Sequence, residues 1–289
     1  MSNPSRLFLF GPGFSGQALA RRLQAAGWTA SGTARDRDAA ARLAERGIAP
    51  VDAADPDAIA ASLRVSGAVL VAAPPGEAGC PGLAALGPAL RAGAGPGWIG
   101  YLSTTGVYGD RGGGWVNEDS ELAPLSEPGR RRVEAERGWL DLGRDLGLSA
   151  AIFRLPGLYG PGRSAFDRLR AGTARRLVKP GQVFSRLHVD DLATALQASI
   201  SRPRIGAIYN LCDDEPGPPQ DVIAYAAGLL GVPAPPETPY DAGQINLASR
   251  RFFEESKRVS NARAKSELGW RPAYPTYREG LRAILAAEG

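Results

Sequence analysis

The chain of 289 residues is poor in the side chains that carry most protein chemistry. It has one histidine, His188, two cysteines, Cys80 and Cys212, and one methionine, Met1. Of its 34 basic residues only Lys179, Lys257 and Lys265 are lysines. These shortages exclude a metal centre built from several His and Cys ligands. They leave at most one His-dependent triad, and no G-x-S-x-G elbow is present to serve it. Any step that needs a lysine must use one of three. Two cysteines far apart in sequence form no disulfide framework and read as reduced thiols, so the expected setting is cytoplasmic. No apolar run approaches the ~20 residues of a membrane span. Met1–Arg6 leads straight into a strand-like run without a charged n-region and cleavage site, so no secretory leader is expected. The net charge of +4 is too small to argue for nucleic acid, and the basic residues are not interleaved with aromatics.

What is present is an alternation of short apolar runs with helix-like segments, the pattern of a parallel sheet with crossover helices. Strands are expected at Arg6–Phe10, Trp28–Thr33, Pro50–Asp52, Ala68–Ala72, Trp98–Leu102 and Ser149–Leu155. Helices are expected at Ser15–Ala26, Asp38–Arg46, Asp57–Leu63 and Leu83–Arg91, with a longer one from Ser126 to Leu146. In the last, Ala135, Trp139, Leu142 and Leu146 form one helical stripe. Beyond Leu155 turn-rich stretches separate helical pieces at Asp190–Ser201, Gln220–Leu230, Val259–Glu267 and Tyr277–Ala287. The expected fold is α/β. A Rossmann-like, doubly wound parallel sheet spans residues 1–155, with 186–212 contributing to it. A smaller C-terminal substrate lobe comprises 156–185 and 213–289. Leu83–Arg91 is short and flanked by Gly and Pro, so it defines no helical dimer interface and leaves the oligomeric state open.

Gly11-Pro12-Gly13-Phe14-Ser15-Gly16 follows the first strand and opens the first helix. This is G-x-G-x-x-G in its strand–turn–helix context. Gly11 permits a tight turn, Gly13 lets a pyrophosphate approach the backbone, and Gly16 lets helix and strand pack closely. The helix start offers free N–H groups and a positive dipole end to phosphates, with Phe14 and Ser15 among the donors. At the end of the second strand an acid would bind a ribose 2′-hydroxyl, whereas Arg suits a 2′-phosphate. Thr33 and Arg35 occupy that place and the first acid is Asp36, so NADP(H) is expected over NAD(H).

Several stretches resemble the extended short-chain dehydrogenase/reductases, the NAD(P)-dependent epimerase/dehydratase family. Tyr101-Leu102-Ser103-Thr104-Thr105-Gly106-Val107-Tyr108-Gly109 is similar to its fifth-strand run ending in V-Y-G. Arg154-Leu155-Pro156-Gly157-Leu158-Tyr159-Gly160-Pro161-Gly162 resembles R-x-P-x-x-Y-G-P-G. His188-Val189-Asp190-Asp191-Leu192-Ala193 resembles H-V-x-D-L-A, and Gly269-Trp270-Arg271-Pro272 resembles the family's C-terminal ending. The glycine spacing differs from the family's usual G-x-x-G-x-x-G and points to an atypical branch. The resemblance implies that Thr104 is the catalytic Ser/Thr beside the reacting oxygen. It implies cofactor contacts from Asp52 to adenine, from Ala72, Ala73 and Pro74 along the dinucleotide, and from Ser103, Pro156 and Gly157 near the nicotinamide.

The family's Y-x-x-x-K pair is missing. The corresponding stretch is Ser126-Glu127-Pro128-Gly129-Arg130-Arg131-Arg132, with Pro128 in the place of Tyr and Arg132 in the place of Lys. The residues four before the three lysines are Arg175, Phe253 and Asn261, so the motif is not displaced elsewhere. A tyrosine of pKa near ~10 serves as acid/base when a neighbouring ammonium and an oxidised nicotinamide favour its phenolate. Proline has no ionisable group, and arginine keeps its proton. Tyr108 and Tyr159, in loops near the expected nicotinamide end, are the candidate substitutes; the alternative for each is a packed structural tyrosine. His188 is expected to fix a strand–helix junction where Asp190 or Asp191 caps the helix.

Arg163, Arg168, Arg170, Arg175, Arg176, Lys179 and Arg186 are opposed in their stretch only by Asp167. Arg175, Arg176 and Lys179 are the candidate contacts to an anionic substrate or effector, the alternative being a solvated face. Glu134 and Glu136 offset Arg130–Arg132 and mark helix surface, with Arg132 able to turn toward the cofactor. Two functions follow: an epimerase/dehydratase-like oxidoreductase with unusual proton transfer, or a non-catalytic NADP(H)-binding sensor or regulator.

Overall fold

Side-chain alternation along the first strand lays out the two layers around it. The computed structural model describes residues 5–241, 243, 250 and 252–288; the segment before residue 5, which bears on the leader expectation, lies outside them. The elements run β1 (Arg6–Phe10), α1 (Phe14–Ala25), β2 (Thr29–Ala34), α2 (Arg37–Ala44), β3 (Ile48–Asp52), α3 (Pro56–Arg64), β4 (Ala68–Val71), α4 (Pro81–Arg91) and β5 (Trp98–Thr104). Then come β6 (Trp115–Val116), α5 (Glu127–Leu146), β7 (Ala150–Leu155), β8 (Gly157–Tyr159), α6 (Ala165–Arg170), β9 (Arg176–Val178), β10 (Arg186–His188), α7 (Val189–Ser201) and β11 (Ile208–Asn210). The chain continues through α8 (Pro219–Leu230), β12 (Glu237–Pro239) and β13 (Arg258–Val259), followed by helices Ala262–Leu268 and Tyr277–Ala286.

Leu7 and Leu9 of β1 pack with Leu19 and Leu23 of α1 and Leu192 and Leu196 of α7. Phe8 and Phe10 point the other way, onto Ile59 of α3, Leu86 of α4 and Trp139 of α5. A strand buried on both faces belongs inside a parallel sheet. The central sheet has seven parallel strands in the order β11-β7-β5-β4-β1-β2-β3. The chain leaves β1 in one direction for β2 and β3, then returns to build outward from β4. The order therefore reverses between β1 and β4, and a crevice opens beyond their C-terminal ends.

Local chemistry sets the helix limits. Asp36, Asp55 and Ser126 accept hydrogen bonds from free N–H groups at the starts of α2, α3 and α5. Gly147, at φ +64°, closes α5 in the left-handed conformation. The Ala135, Trp139 and Leu142 stripe is buried as its spacing predicts. One helix differs from expectation: Val259 belongs to β13, paired with Val116, and the helix starts at Ala262. The two- and three-residue strands β6, β8, β9, β10, β12 and β13 carry too few residues to show a period.

The smaller lobe packs α6, α8 and Tyr277–Ala286 around Phe166, Ile223, Ala226, Leu281 and Ile284. It is tied to the sheet through α7. The buried Asp191 carboxylate accepts the Ala273 and Tyr274 N–H groups at 2.7 and 3.0 Å, and Trp270 donates to Thr194. These bonds give the H-V-x-D-L-A and G-W-R-P stretches a common structural task.

A buried ion pair closes the other side. Arg154 of β7 meets Glu136 of α5 at 2.8 Å, with side chains 3% and 2% exposed. Glu136 is thus core and not helix surface, because a turn of α5 aims it inward beside Ala135 and Trp139. Ser103 of β5 also donates to Glu136. Arg154 donates to the Tyr108 hydroxyl at 3.0 Å and to the Glu118 carbonyl, and Tyr108 donates to Asn210 of β11. Burial opposes the Arg154 charge, but the hydrogen bonds and charge of Glu136 win, and its pKa is raised. Removing one partner of such a pair leaves the other charged and unpaired. Glu136→Ala is expected to lose ~3–5 kcal/mol in urea unfolding, and the Glu136→Leu/Arg154→Met double variant to recover part of it. A loss below about 1 kcal/mol for Glu136→Ala would contradict this role.

Candidate functional site

The glycine loop sits at the point where the sheet order reverses. Gly11 has φ +81°, and a Cβ there would lie 2.8 Å from the Ala73 nitrogen. The turn therefore needs glycine for both its backbone and its neighbour. Ala72 and Ala73 donate to the Phe10 carbonyl, which fixes the run after β4 against the loop. Thr33 of β2 accepts the Gly11 N–H at 3.0 Å, so its hydroxyl is a brace for the loop. Gly32, which the sequence reading passed over, leaves room for Pro12, 3.1 Å from where its Cβ would be. A glycine inside a strand was the available signal.

Gly13 is exposed, with nothing within 4 Å of a hypothetical Cβ. It is the N-cap of α1, makes no side-chain cap, and no acid stands in the helix's first turn. Phe14 and Ser15, half-buried, begin the helix there. The loop thus presents open backbone and a positive helix end, which suits a pyrophosphate. Gly16 is less constrained than its motif position implies: a Cβ would meet Leu9 at 3.5 Å, an ordinary contact.

At the end of β2 the two charges separate. Asp36 accepts the Ala39 N–H at 2.7 Å as the cap of α2. Arg35 is exposed and has no side-chain partner among the described residues. Asp52, exposed after β3, accepts the Ala54 N–H. Pro74 is exposed beyond β4.

At the far end of the crevice, Thr104 ends β5, half-buried, and its hydroxyl accepts the Gly106 N–H at 3.1 Å. Its own proton is left to donate. Pro156 links β7 to β8 and Gly157 begins β8, with open space at the Gly157 Cβ position. Ser103, by contrast, is buried and committed to Glu136, because adjacent residues of β5 face opposite sides.

The first turn of α5 packs on the turn after Thr104, with a Gly129 Cβ position 3.4 Å from the Gly106 carbonyl. Pro128 is exposed in that first turn. Arg132, one turn on, donates to the Leu102 carbonyl and lies 5.7 Å from the Tyr101 ring centre. Its positive charge therefore stands beside the end of β5.

Neither candidate tyrosine is open. Tyr108 is fully buried between Arg154 and Asn210; burial raises its pKa against the pull of Arg154. Tyr159 is half-buried, presses on Gly280 and meets His188 edge-on at 5.2 Å between ring centres. Burial first, then the nearby Asp213 and Asp191, raises its pKa far above the tyrosine range. His188 itself caps α7, its Nδ1 accepting the Asp190 N–H, and burial lowers its pKa. The sequence reading assigned that cap to an aspartate.

The basic candidates do not converge. Arg176 pairs with Glu237 at 2.6 Å across β9 and β12, and Lys179 donates to the Phe253 carbonyl. Arg175 lines a cleft of about 260 Å³ with Leu177, Pro235 and Pro239. Arg175 precedes β9, whereas Arg176 is its first residue and faces β12. The described residues hold no group of three or more His, Cys, Asp and Glu placed for a metal, and no described helix is long and apolar enough to cross a membrane.

The Gly11→Ala variant is expected to weaken NADPH binding by roughly tenfold or more, while Gly16→Ala changes it by less than about twofold. Fluorescence titration checks both; equal effects would refute the distinction drawn from the two Cβ environments.

Similarities to known proteins agree with this layout. The model of the NAD dependent epimerase/dehydratase family matches residues 89–212. A functionally unknown conserved protein from Silicibacter pomeroyi DSS is 46% identical, with a TM-score of 0.90 and 98% of each chain covered. Protein YeeZ of Escherichia coli K12 is 32% identical over 61% of this chain and 58% of its own. The 3-diazoavenalumate denitrifying reductase of a Streptomyces species is 31% identical over 46% of each. The chain thus matches about half the length of these two curated relatives. Residues 89–212, which hold β5 to β11, thus match the NAD dependent epimerase/dehydratase family, in keeping with the glycine loop and the seven-stranded parallel sheet.

Proposed function

We propose that the chain is an NADP(H)-binding oxidoreductase of epimerase/dehydratase type that acts on a small anionic molecule without the Tyr/Lys pair. The observation that carries the reading is the split at the end of β2. Asp36 is spent on capping α2, whereas Arg35 is free to face a 2′-phosphate. Gly13, Phe14 and Ser15 would hold the pyrophosphate through backbone N–H groups, and Asp52 would meet the adenine. Ala72, Ala73 and Pro74 would flank the dinucleotide, with Pro156 and Gly157 at its nicotinamide end. The cofactor, when bound, supplies or accepts hydride.

In this reading Thr104 donates its free hydroxyl proton as a hydrogen bond to the reacting oxygen. Reduction of a carbonyl adds one hydride and one proton, and water in the cleft supplies that proton through the position left open by Pro128. Arg132 keeps positive charge beside β5, and Tyr108 and Tyr159 serve packing. Arg175 is the contact we assign to the substrate's negative charge; Arg176 and Lys179 shape that lobe. Residues 156–185 and 213–289 would supply the substrate side, against a dinucleotide domain of 1–155 with 186–212. The setting we assign is the cytoplasm, with small molecules and neither nucleic acid nor membrane as partners.

A second reading, a non-catalytic NADP(H) sensor, draws on the burial of both candidate tyrosines. Single-turnover reactions across anionic carbonyl compounds and sugar nucleotides separate the two. Cofactor oxidation that Thr104→Ala abolishes supports the enzyme; tight binding without oxidation of any compound favours the sensor. Arg35→Ala is expected to weaken NADPH roughly ten- to a hundredfold and leave NADH within about twofold. Equal weakening of both would remove the 2′-phosphate role.

A further inference from the structure

The loop after β8 lays an arginine on the glycine loop's own aromatic ring. Gly160-Pro161-Gly162-Arg163 forms a tight turn, with Gly160 and Arg163 exchanging backbone hydrogen bonds at 3.2 and 3.0 Å. Proline at its second position and Gly162 at φ +72° at its third are the residues a type II turn requires. The turn is seated against α1. A Cβ on Gly160 would lie 3.2 Å from the Phe14 ring and 2.7 Å from Val189. Phe14 in turn packs with Ala18, Val189 and Ala193. The Arg163 guanidinium lies 5.4 Å from the centre of the Phe14 ring.

Arg163 also differs from Arg170, Arg176, Lys179 and Arg186 of its stretch. Arg170 pairs with Glu288 and Arg176 with Glu237, while Lys179 and Arg186 donate to backbone carbonyls. Arg163 is exposed and makes no ion pair or side-chain hydrogen bond among the described residues. Phe14 is the first residue of α1, whose start is uncapped and free of acids. The stacking contact uses one face of the guanidinium and leaves its N–H edge to bind oxygen. A planar fork with free donors, held by a rigid turn beside open helix N–H groups, is suited to a diphosphate.

We propose that Arg163 is a dinucleotide-binding residue, gripping the pyrophosphate from the side opposite Gly13–Ser15. The inference rests on the dinucleotide reading given above but not on the preference for NADP(H), because a pyrophosphate is common to both cofactors. It couples the smaller lobe to cofactor occupancy, since Arg163 leads directly into Ser164, the cap of α6.

The test compares the wild-type chain with Arg163→Ala and Arg163→Lys. Binding of NADPH and NADH is followed by fluorescence, and binding of ADP-ribose, which has the pyrophosphate but no nicotinamide, by calorimetry. Arg163→Ala is expected to weaken all three by a similar factor of roughly ten or more, with Arg163→Lys between it and wild type. The thermal unfolding midpoint should stay close to wild type. Unchanged affinities in Arg163→Ala would overturn the proposal. So would a loss for NADPH and NADH with ADP-ribose unaffected, which would move the contact to the nicotinamide half. If the wild-type chain binds none of the three, the dinucleotide reading itself fails. Equal wild-type affinity for NADPH and NADH, with both lowered in Arg163→Ala, removes the NADP preference and supports Arg163.

Discussion

The ion pair of Arg154 with Glu136 is the constraint on which the Thr104 end of the crevice depends. It joins β7 to α5, and through Ser103 it holds β5 in the same frame. Thr104 is the next residue along β5, and the α5 turn bearing Pro128 lies one helical stretch before Glu136. The pair therefore sets the separation between the Thr104 hydroxyl and the turn that bears Pro128. Two desolvated charges are costly unless every remaining donor and acceptor is met. Here Tyr108, Ser103 and the Glu118 carbonyl complete the set, and Asn210 extends it to the sheet edge. The tyrosine that looked available for chemistry is spent on that task.

Two layers of organisation build the crevice. The reversal of strand order and the glycine turn make a crevice for a dinucleotide, and Thr33 braces that turn. Asp191 fastens the C-terminal segment to α7. Neither task needs an acid/base pair. Proline in the first turn of α5 costs the helix little. Arginine one turn on keeps the charge that a lysine would bring and finds a carbonyl for it. In the proposed reading, the scaffold keeps its cofactor cleft without the Tyr/Lys pair.

Much of this was legible in the chain. The strands of the main sheet announce themselves as short apolar runs, and the stripe Ala135, Trp139 and Leu142 fixes the buried face of α5. The glycine loop reads directly because positive φ and close approach are demands that sequence displays. Glu136 was not legible. It stands among Arg131, Arg132 and Glu134, and only the packing of α5 on β7 reveals that it faces Arg154. Arg163 was hidden for a similar reason, since its stacking on Phe14 brings together residues distant in the chain. The short strands lack the length for a period, and the basic stretch loses its apparent unity because Arg175 lines a cleft while Arg176 pairs with Glu237.

The central claim is a working dinucleotide cleft whose usual acid/base is gone, and a crystal structure of the chain with NADPH tests it most directly. The account predicts the pyrophosphate over Gly13–Ser15, the 2′-phosphate on Arg35 and the nicotinamide beside Thr104 and Pro156. It also predicts that no tyrosine or lysine side chain lies within hydrogen-bond reach of the nicotinamide ribose. Density for NADPH anywhere other than this crevice would contradict it, as would a tyrosine or lysine swung in to replace the missing pair.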